Sequence, residues 1–215
     1  GIVNGKIKKH LASICFVDQP FVKDDKVTVA AKMDSVAKEC GSTAFAIAQI
    51  CEAAEVVLKH GSEEAKSKYL PTLVCGTPAA VAGSDTNVNS NFDVTVTAEK
   101  TEDGYVLNGV KKNVFHADAA SWFIIAAKEG DDVKWFIVDK KNAGISVSAG
   151  EIMLGFKGCK VGSLSFDQYK VPETALLKGN VEATLKSIQA LNMAAISSGI
   201  AQGALNEAIE YVNQR

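Results

Sequence analysis

The sequence has no metal site that can be read from spacing. Its three histidines, His10, His60 and His116, are scattered, and its five cysteines, Cys15, Cys40, Cys51, Cys75 and Cys159, contain no CxxC pair. A zinc cluster or a dithiol redox motif is therefore not expected, and an odd number of widely spaced thiols among apolar or small residues reads as buried and reduced. An excess of positive charge is also missing: the formal net charge is −2 and Lys and Glu are interspersed, which leaves no footprint for nucleic acid. No apolar run approaches the roughly 20 residues that span a bilayer, and the N-terminus lacks the charged-then-apolar order of a secretion signal. The expectation is a soluble protein of a reducing compartment. The first residue is not Met and Arg215 falls inside a helical pattern, which reads as part of a longer chain.

What is present begins with size, since 215 residues can bury a real core as one large domain or two modest ones. The short apolar runs Ile2-Val3 and Ile14-Cys15-Phe16-Val17 fit helix edges or strands equally. From Asp24 the pattern is helical: Asp24 or Asp25 can cap, Val27, Ala30, Ala31 and Val36 recur at helical spacing, and Gly41 stands where a left-handed C-terminal residue is expected. Ser42 or Thr43 then caps a second helix to about Lys59, closed by His60-Gly61. Ser62 caps a short third helix, with Glu63 and Glu64 in its first turn, ending at Tyr69-Leu70-Pro71.

After Gly76 the period shortens to two. Phe92, Val94, Val96 and Ala98 alternate with polar neighbours, Asp103-Gly104 makes a turn, and Tyr105-Val106-Leu107 returns as far as Asn108-Gly109. Trp122–Ala127 and Val133–Val138 read as buried strands around an acidic turn, and Ile145 with Val147 and Leu164 with Phe166 suggest two more. Short strands without intervening helices predict a compact barrel or sandwich that ends at Pro172. From about Val181 a last helix runs to the end, with Ile188, Leu191, Ala195, Leu205, Ala208, Ile209 and Val212 as contact positions. Its middle is rich in Ala, Ser and Gly, as in helices that approach one another closely.

Where the helical region gives way to strands lies Ala82-Gly83-Ser84-Asp85, a small turn whose backbone N–H groups could meet an anion. Together with its neighbours this turn resembles the acyl-CoA dehydrogenase family of flavoproteins. His60-Gly61-Ser62-Glu63-Glu64-Ala65-Lys66-Ser67-Lys68-Tyr69-Leu70-Pro71 looks like the family's segment ahead of its β domain, and Ala82–Asp85 is similar to the end of its Thr-Glu-Pro-Gly-Ala-Gly-Ser-Asp signature. Tyr105-Val106-Leu107-Asn108-Gly109-Val110-Lys111, Leu154-Gly155-Phe156-Lys157-Gly158, Phe166-Asp167-Gln168-Tyr169-Lys170-Val171-Pro172 and Gly199–Ala208 resemble further family motifs in the family's order. The likeness covers roughly residues 26–215.

The resemblance implies an α+β multidomain fold: a helical N-terminal domain (1–75), a middle antiparallel β-barrel domain (76–175), and the first helix of an incomplete C-terminal helical bundle (176–215). It implies FAD as cofactor, an acyl-CoA substrate dehydrogenated at its α,β carbons, electrons passed to an electron-transfer flavoprotein, and a homo-oligomer, dimer or tetramer, of the cytoplasm or mitochondrial matrix. Carried over by position, Ala82, Gly83, Ser84, Asn113 and Phe115 fall at the flavin, and Ser84, Cys159 and Asn192 at the substrate. Several positions depart from the family. Asn113 stands for Trp or Phe, Phe115 for a flavin-contacting Thr, and Asn192 for an Asp. The stretch before Ala82 is about seven residues short, and no catalytic base can be assigned. A diverged, non-catalytic oligomeric module therefore stands beside the enzyme, and an oxidase of nitroalkanes or acyl amines on the same fold is a third reading.

Overall fold

The computed structural model describes residues 20–21, 24–85, 93–148, 150–151 and 153–214. The runs at Ile2-Val3 and Ile14–Val17 and the expected strand residue Phe92 lie outside them. The described residues form two compact units, one made of those up to Ala48 and from Leu185 onward, the other of Gln49–Thr184.

In the first unit, β1 (Pro20–Phe21) pairs with β2 (Asp24–Thr28), and α1 (Val29–Glu39) follows directly. Asp24 and Asp25 are strand residues rather than caps. The β-branched Val27-Thr28 prolongs the strand, and the Thr28 hydroxyl accepts the Ala31 N–H at 3.1 Å. Met33 and Ala37 are the buried positions of α1. Gly41 is not a left-handed cap: Cys40 ends α1 in extended backbone at φ −155°, and Gly41 opens α2 (Gly41–His60), which leaves Ser42 and Thr43 inside its first turn. The last helix, α4 (Val181–Asn213), meets α1 through glycines. A Cβ on Gly199 would lie 2.4 Å from the Asp34 carbonyl oxygen, and one on Gly203 2.4 Å from that of Lys38. The small residues thus allow two helix backbones to touch. Farther along α4, Leu205, Ile209 and Val212, expected as contacts, are exposed.

The helix α2, whose residues from Gln49 onward belong to the second unit, carries an 18-residue window of mean hydropathy 1.3, enough by length and composition alone to cross a bilayer. One face of it is buried. Ala53, Val56 and Val57 are buried, and Gln49 accepts the Val81 N–H at 3.3 Å while donating to Glu52 at 3.3 Å. Gly61 does not supply the expected left-handed cap; a Cβ there would fall 2.6 Å from the Val57 carbonyl oxygen, so glycine is needed for close approach. Ser62 caps α3 (Glu63–Val74) by accepting the Ala65 N–H at 3.1 Å. Instead of stopping at Pro71, α3 continues to Val74 and closes with Gly76 at φ +82°, its N–H on the Leu73 carbonyl at 3.0 Å and that of Thr77 on Thr72 at 2.9 Å. This Schellman pattern satisfies carbonyls that a stop at proline would leave bare.

The sheet has eight strands in the order β10-β7-β6-β4-β5-β9-β8, with β3 beside β6. They are β3 (Ala79–Ala82), β4 (Thr97–Thr101), β5 (Gly104–Phe115), β6 (Trp122–Glu129), β7 (Asp132–Asp139), β8 (Ile145–Val147), β9 (Val161–Pro172) and β10 (Leu176–Leu177). Most neighbours are antiparallel, but β3 and β4 each run parallel to β6, which makes the sheet mixed. Val94 and Val96 are buried without belonging to a strand. The return strand does not end at Asn108-Gly109: Gly109, at φ +120°, absorbs a register shift against β9, and β5 runs on to Phe115. Nor does Pro172 end the sheet, since β10 follows a single 3₁₀ turn (Glu173–Ala175) and pairs with β7.

Two polar clusters fasten this unit. The Tyr69 hydroxyl and the Lys68 ammonium both donate to Asp139 Oδ2, at 2.9 and 2.8 Å, and Trp122 Nε1 donates to the Thr72 hydroxyl at 3.1 Å, which fixes α3 to the sheet. Burial, with the adjacent Asp139 charge adding to it, pushes the Tyr69 phenol up to about 12. Just after β10, the Lys178 N–H donates to the His60 carbonyl at 3.0 Å while His60 Nδ1 donates to the Lys178 carbonyl at 2.7 Å. That assignment of the proton leaves Nε2 of the neutral ring to accept from the Thr184 hydroxyl at 2.8 Å. The Ser62 hydroxyl donates to the Thr174 carbonyl at 2.9 Å.

Candidate functional site

The turn Ala82–Asp85 begins where β3 ends. The segment ahead of it is short yet still a strand: four small residues, all buried, pair in parallel with Trp122–Ile125. Small side chains fit here because the bulky residues of β6 already fill the core, with Trp122, Phe123, Ile124 and Ile125 all at 2 % exposure or less.

Asp85 organises the turn. Its Oδ2 accepts the Thr95 N–H at 2.8 Å and the Lys111 ammonium at 3.0 Å, and its Oδ1 accepts the Lys112 N–H at 2.8 Å. The Thr95 hydroxyl lies between Oδ2 and the Val110 carbonyl. The backbone of Asp85 is held on both sides, its N–H donating to the Asp93 carbonyl at 2.8 Å and its carbonyl accepting from Asn113 Nδ2 at 2.9 Å. Lys111 also donates to the Gly83 carbonyl at 2.6 Å. The ion pair is buried, with side-chain exposures of 0 % for Lys111 and 2 % for Asp85. Burial lowers the Lys111 ammonium below its ordinary value, against the opposing pull of the Asp85 carboxylate.

The structure brings together four of the expected cofactor residues through this cluster. Ala82 is the buried end of β3, Gly83 is gripped through its carbonyl, Ser84 is half-buried between Gly83 and Asp85, and Asn113 reaches back to the turn. Asn113 can do so because β5 slips register between Lys111 and Val114, which places it in left-handed backbone at φ +56°. Asparagine tolerates that conformation better than the aromatic residue found in the family. Phe115 ends β5, half-buried and paired with Val161 at the start of β9. Cys159 lies two residues ahead of that pairing, fully buried, its N–H donating to the Phe156 carbonyl at 2.7 Å. Asn192 belongs to the other unit, with its side chain buried in α4.

Sequence reading singled out neither Lys111 nor Asp85 as working residues. The signal was the alternation in β5: Tyr105 and Leu107 face inward, and a lysine continuing that face past Gly109 needs a buried anion.

Residues 79–169 match the family described as "Acyl-CoA dehydrogenase, middle domain". Residues 1–52 match a second family, elongation factor TS, which no motif noted above announces. A mitochondrial short/branched chain specific acyl-CoA dehydrogenase of Rattus norvegicus is 29% identical over 196 residues, covering 84% of this chain and 45% of the rat protein. Butyryl-CoA dehydrogenase from Megasphaera elsdenii superposes with a TM-score of 0.82 at 25% identity, over 87% of this chain and 52% of that one. The structure of PigA with FAD and proline superposes with a TM-score of 0.78, also at 25% identity, over 87% of this chain and 53% of that one. The chain therefore spans about half the length of the relatives it matches. In sequence and in fold the chain is similar to acyl-CoA dehydrogenases, and its residues 79–169 match that family's middle domain.

Proposed function

We propose that the chain contributes to an FAD-dependent acyl-CoA dehydrogenase that oxidises the α,β bond of an acyl-CoA thioester and passes electrons to an electron-transfer flavoprotein. The observation that carries this reading is the Gly83-Ser84 turn at the end of β3, fixed from its buried side by Lys111 and Asp85 and tied to Asn113 through the Asp85 carbonyl. The residues present fit a flavin nucleotide or an acyl-CoA phosphate, because a glycine-containing turn on a rigid strand end offers backbone and hydroxyl donors without a bulky side chain in the way. FAD, when bound, supplies the hydride acceptor. The chain's own part is to bind and orient: Ser84 donates to the phosphate, Gly83 allows close approach, Asn113 holds the turn, and Phe115 is carried as a cofactor contact by position. Cys159 and Asn192 are carried as substrate contacts by position. The deprotonation at the α carbon is assigned to no residue of this chain. This catalytic reading rests on residues beyond the elongation factor TS match.

The homo-oligomer and a cytoplasmic or mitochondrial location belong to the same proposal. The exposed spacing of Leu205, Ile209 and Val212 along α4 supports an association surface, which a native mass measurement would check. The test of the main reading is spectroscopic. Full-length protein incubated with FAD and then freed of unbound flavin is expected to remain yellow and to bleach when a short-chain acyl-CoA is added anaerobically; protein that emerges colourless overturns the proposal. One observation favours the non-catalytic module instead, namely that the Asn113 amide is engaged with the turn's own backbone. Turnover of any acyl-CoA with an artificial acceptor would exclude that alternative.

A further inference from the structure

Lys111 fixes the turn of the proposal above from its buried side, yet it is a fully buried cation on an otherwise apolar strand face. As a fastening device it is poorly chosen. Removing two charges from water costs about as much as their attraction returns, and an apolar pair of similar volume often holds a junction as well. What an ammonium can do that a methyl group cannot is set a direction. Peptide bonds are planar, and among the described residues none is cis, so each carbonyl and the N–H of the next residue point opposite ways. The Lys111 ammonium, 2.6 Å from the Gly83 carbonyl, draws that oxygen to the buried side and so turns the Ser84 N–H to the other. The next peptide is also fixed, because the Asp85 N–H is committed to the Asp93 carbonyl at 2.8 Å. Two successive peptides of a glycine-containing turn, able in isolation to flip, are thereby held in one arrangement.

We propose that Lys111 and Asp85 are positioning residues for a phosphate-bearing nucleotide at the Gly83-Ser84 turn, with Lys111 orienting the Gly83–Ser84 peptide and Asp85 holding and neutralising the ammonium. The inference rests on the flavin and acyl-CoA reading of the turn. Neither side chain touches the ligand. The desolvation that lowers the Lys111 ammonium below its ordinary value is the cost of placing a cation there, and the Asp85 carboxylate, bonded also to the Thr95 and Lys112 N–H groups, offsets it.

The test compares the full-length wild type with Lys111→Met, Asp85→Asn and the double variant, measuring thermal unfolding together with affinity for FAD and, separately, for CoA. Each single variant strands a buried charge or loses its partner, so both are expected to lower the unfolding temperature. The double variant removes both charges and is expected to recover most of that loss, yet to bind its nucleotide at least about tenfold more weakly than wild type, because the peptide is no longer oriented. The arm that responds, FAD or CoA, identifies which phosphate the turn takes. A double variant that regains both unfolding temperature and affinity shows the pair to be structural and overturns the inference. A wild type that binds neither FAD nor CoA overturns the flavoprotein reading beneath it, an outcome distinct from loss in the variants alone.

Discussion

His116 follows directly on Phe115, in left-handed backbone at φ +54°, with its N–H on the Lys160 carbonyl at 2.9 Å. Its Nε2 is buried with no hydrogen-bond partner among the described residues. Burial holds the imidazole below its ordinary 6.5, and the nearby Asp118 carboxylate only partly opposes this. The folded state therefore takes up the proton later than the unfolded state does. The neutral ring's contribution to stability is present above about pH 6.5 and is lost as pH falls through the lowered folded value. Replacing His116 with Asn, which tolerates left-handed backbone, is expected to flatten the acid side of the stability curve while changing little at neutral pH. Urea midpoints at about pH 7.5 and about pH 5 would check it, and equal slopes for both proteins would refute it. Cys51 gives a second residue-level expectation. Burial, reinforced by the Glu52 charge beside it, pushes its thiol up to about 11, so it should react with a thiol reagent far more slowly at neutral pH than the exposed Cys75.

At the scale of elements, the contact of α4 with α1 has a sharp consequence. In an isolated helix Gly→Ala gains up to about 1 kcal/mol of propensity. At Gly199 the added carbon would press on backbone at 2.4 Å, so Gly199→Ala is expected to cost about 1–3 kcal/mol instead. Hydrogen exchange of the α1 amides would show it, with Gly155→Ala, which meets nothing within 4 Å, as the silent control. Elements with strong periodicity were legible from the sequence: α3 with its Ser62 cap, the β6–β7 pair and the start of α4 stand where spacing put them. The misreadings share a cause. Gly41, Gly61 and Gly109 look like stop signals, yet one opens a helix, one permits close approach and one makes a bulge, because glycine marks conformational freedom without saying how it is used. In the candidate site the Gly-Ser-Asp turn was readable as a motif, whereas its control by Lys111 was not, since that contact joins residues 28 positions apart through a strand register no local pattern fixes.

For the molecule as a whole, the turn and every group that holds it, from Gly83 and Asp85 through Asp93 and Thr95 to Lys111–Asn113, lie within Gln49–Thr184. That unit is expected to fold when expressed alone, with the Thr95 and Lys112 amides protected from exchange as they are in the full chain. Protection lost at these two amides, with sheet content retained, would show that the rest of the chain is needed to set the turn.

The clasp between His60 and Lys178, with Ser62 on Thr174, has a consequence of another kind. It brings the residues just before α3 and those just around β10 into direct hydrogen-bonding contact, so the intervening residues form a loop that is already closed. A segment closed in this way can be transplanted, because the flanking sequence needs only to deliver and collect the chain at one place. Such a cassette tolerates changes in the segments that precede and follow it.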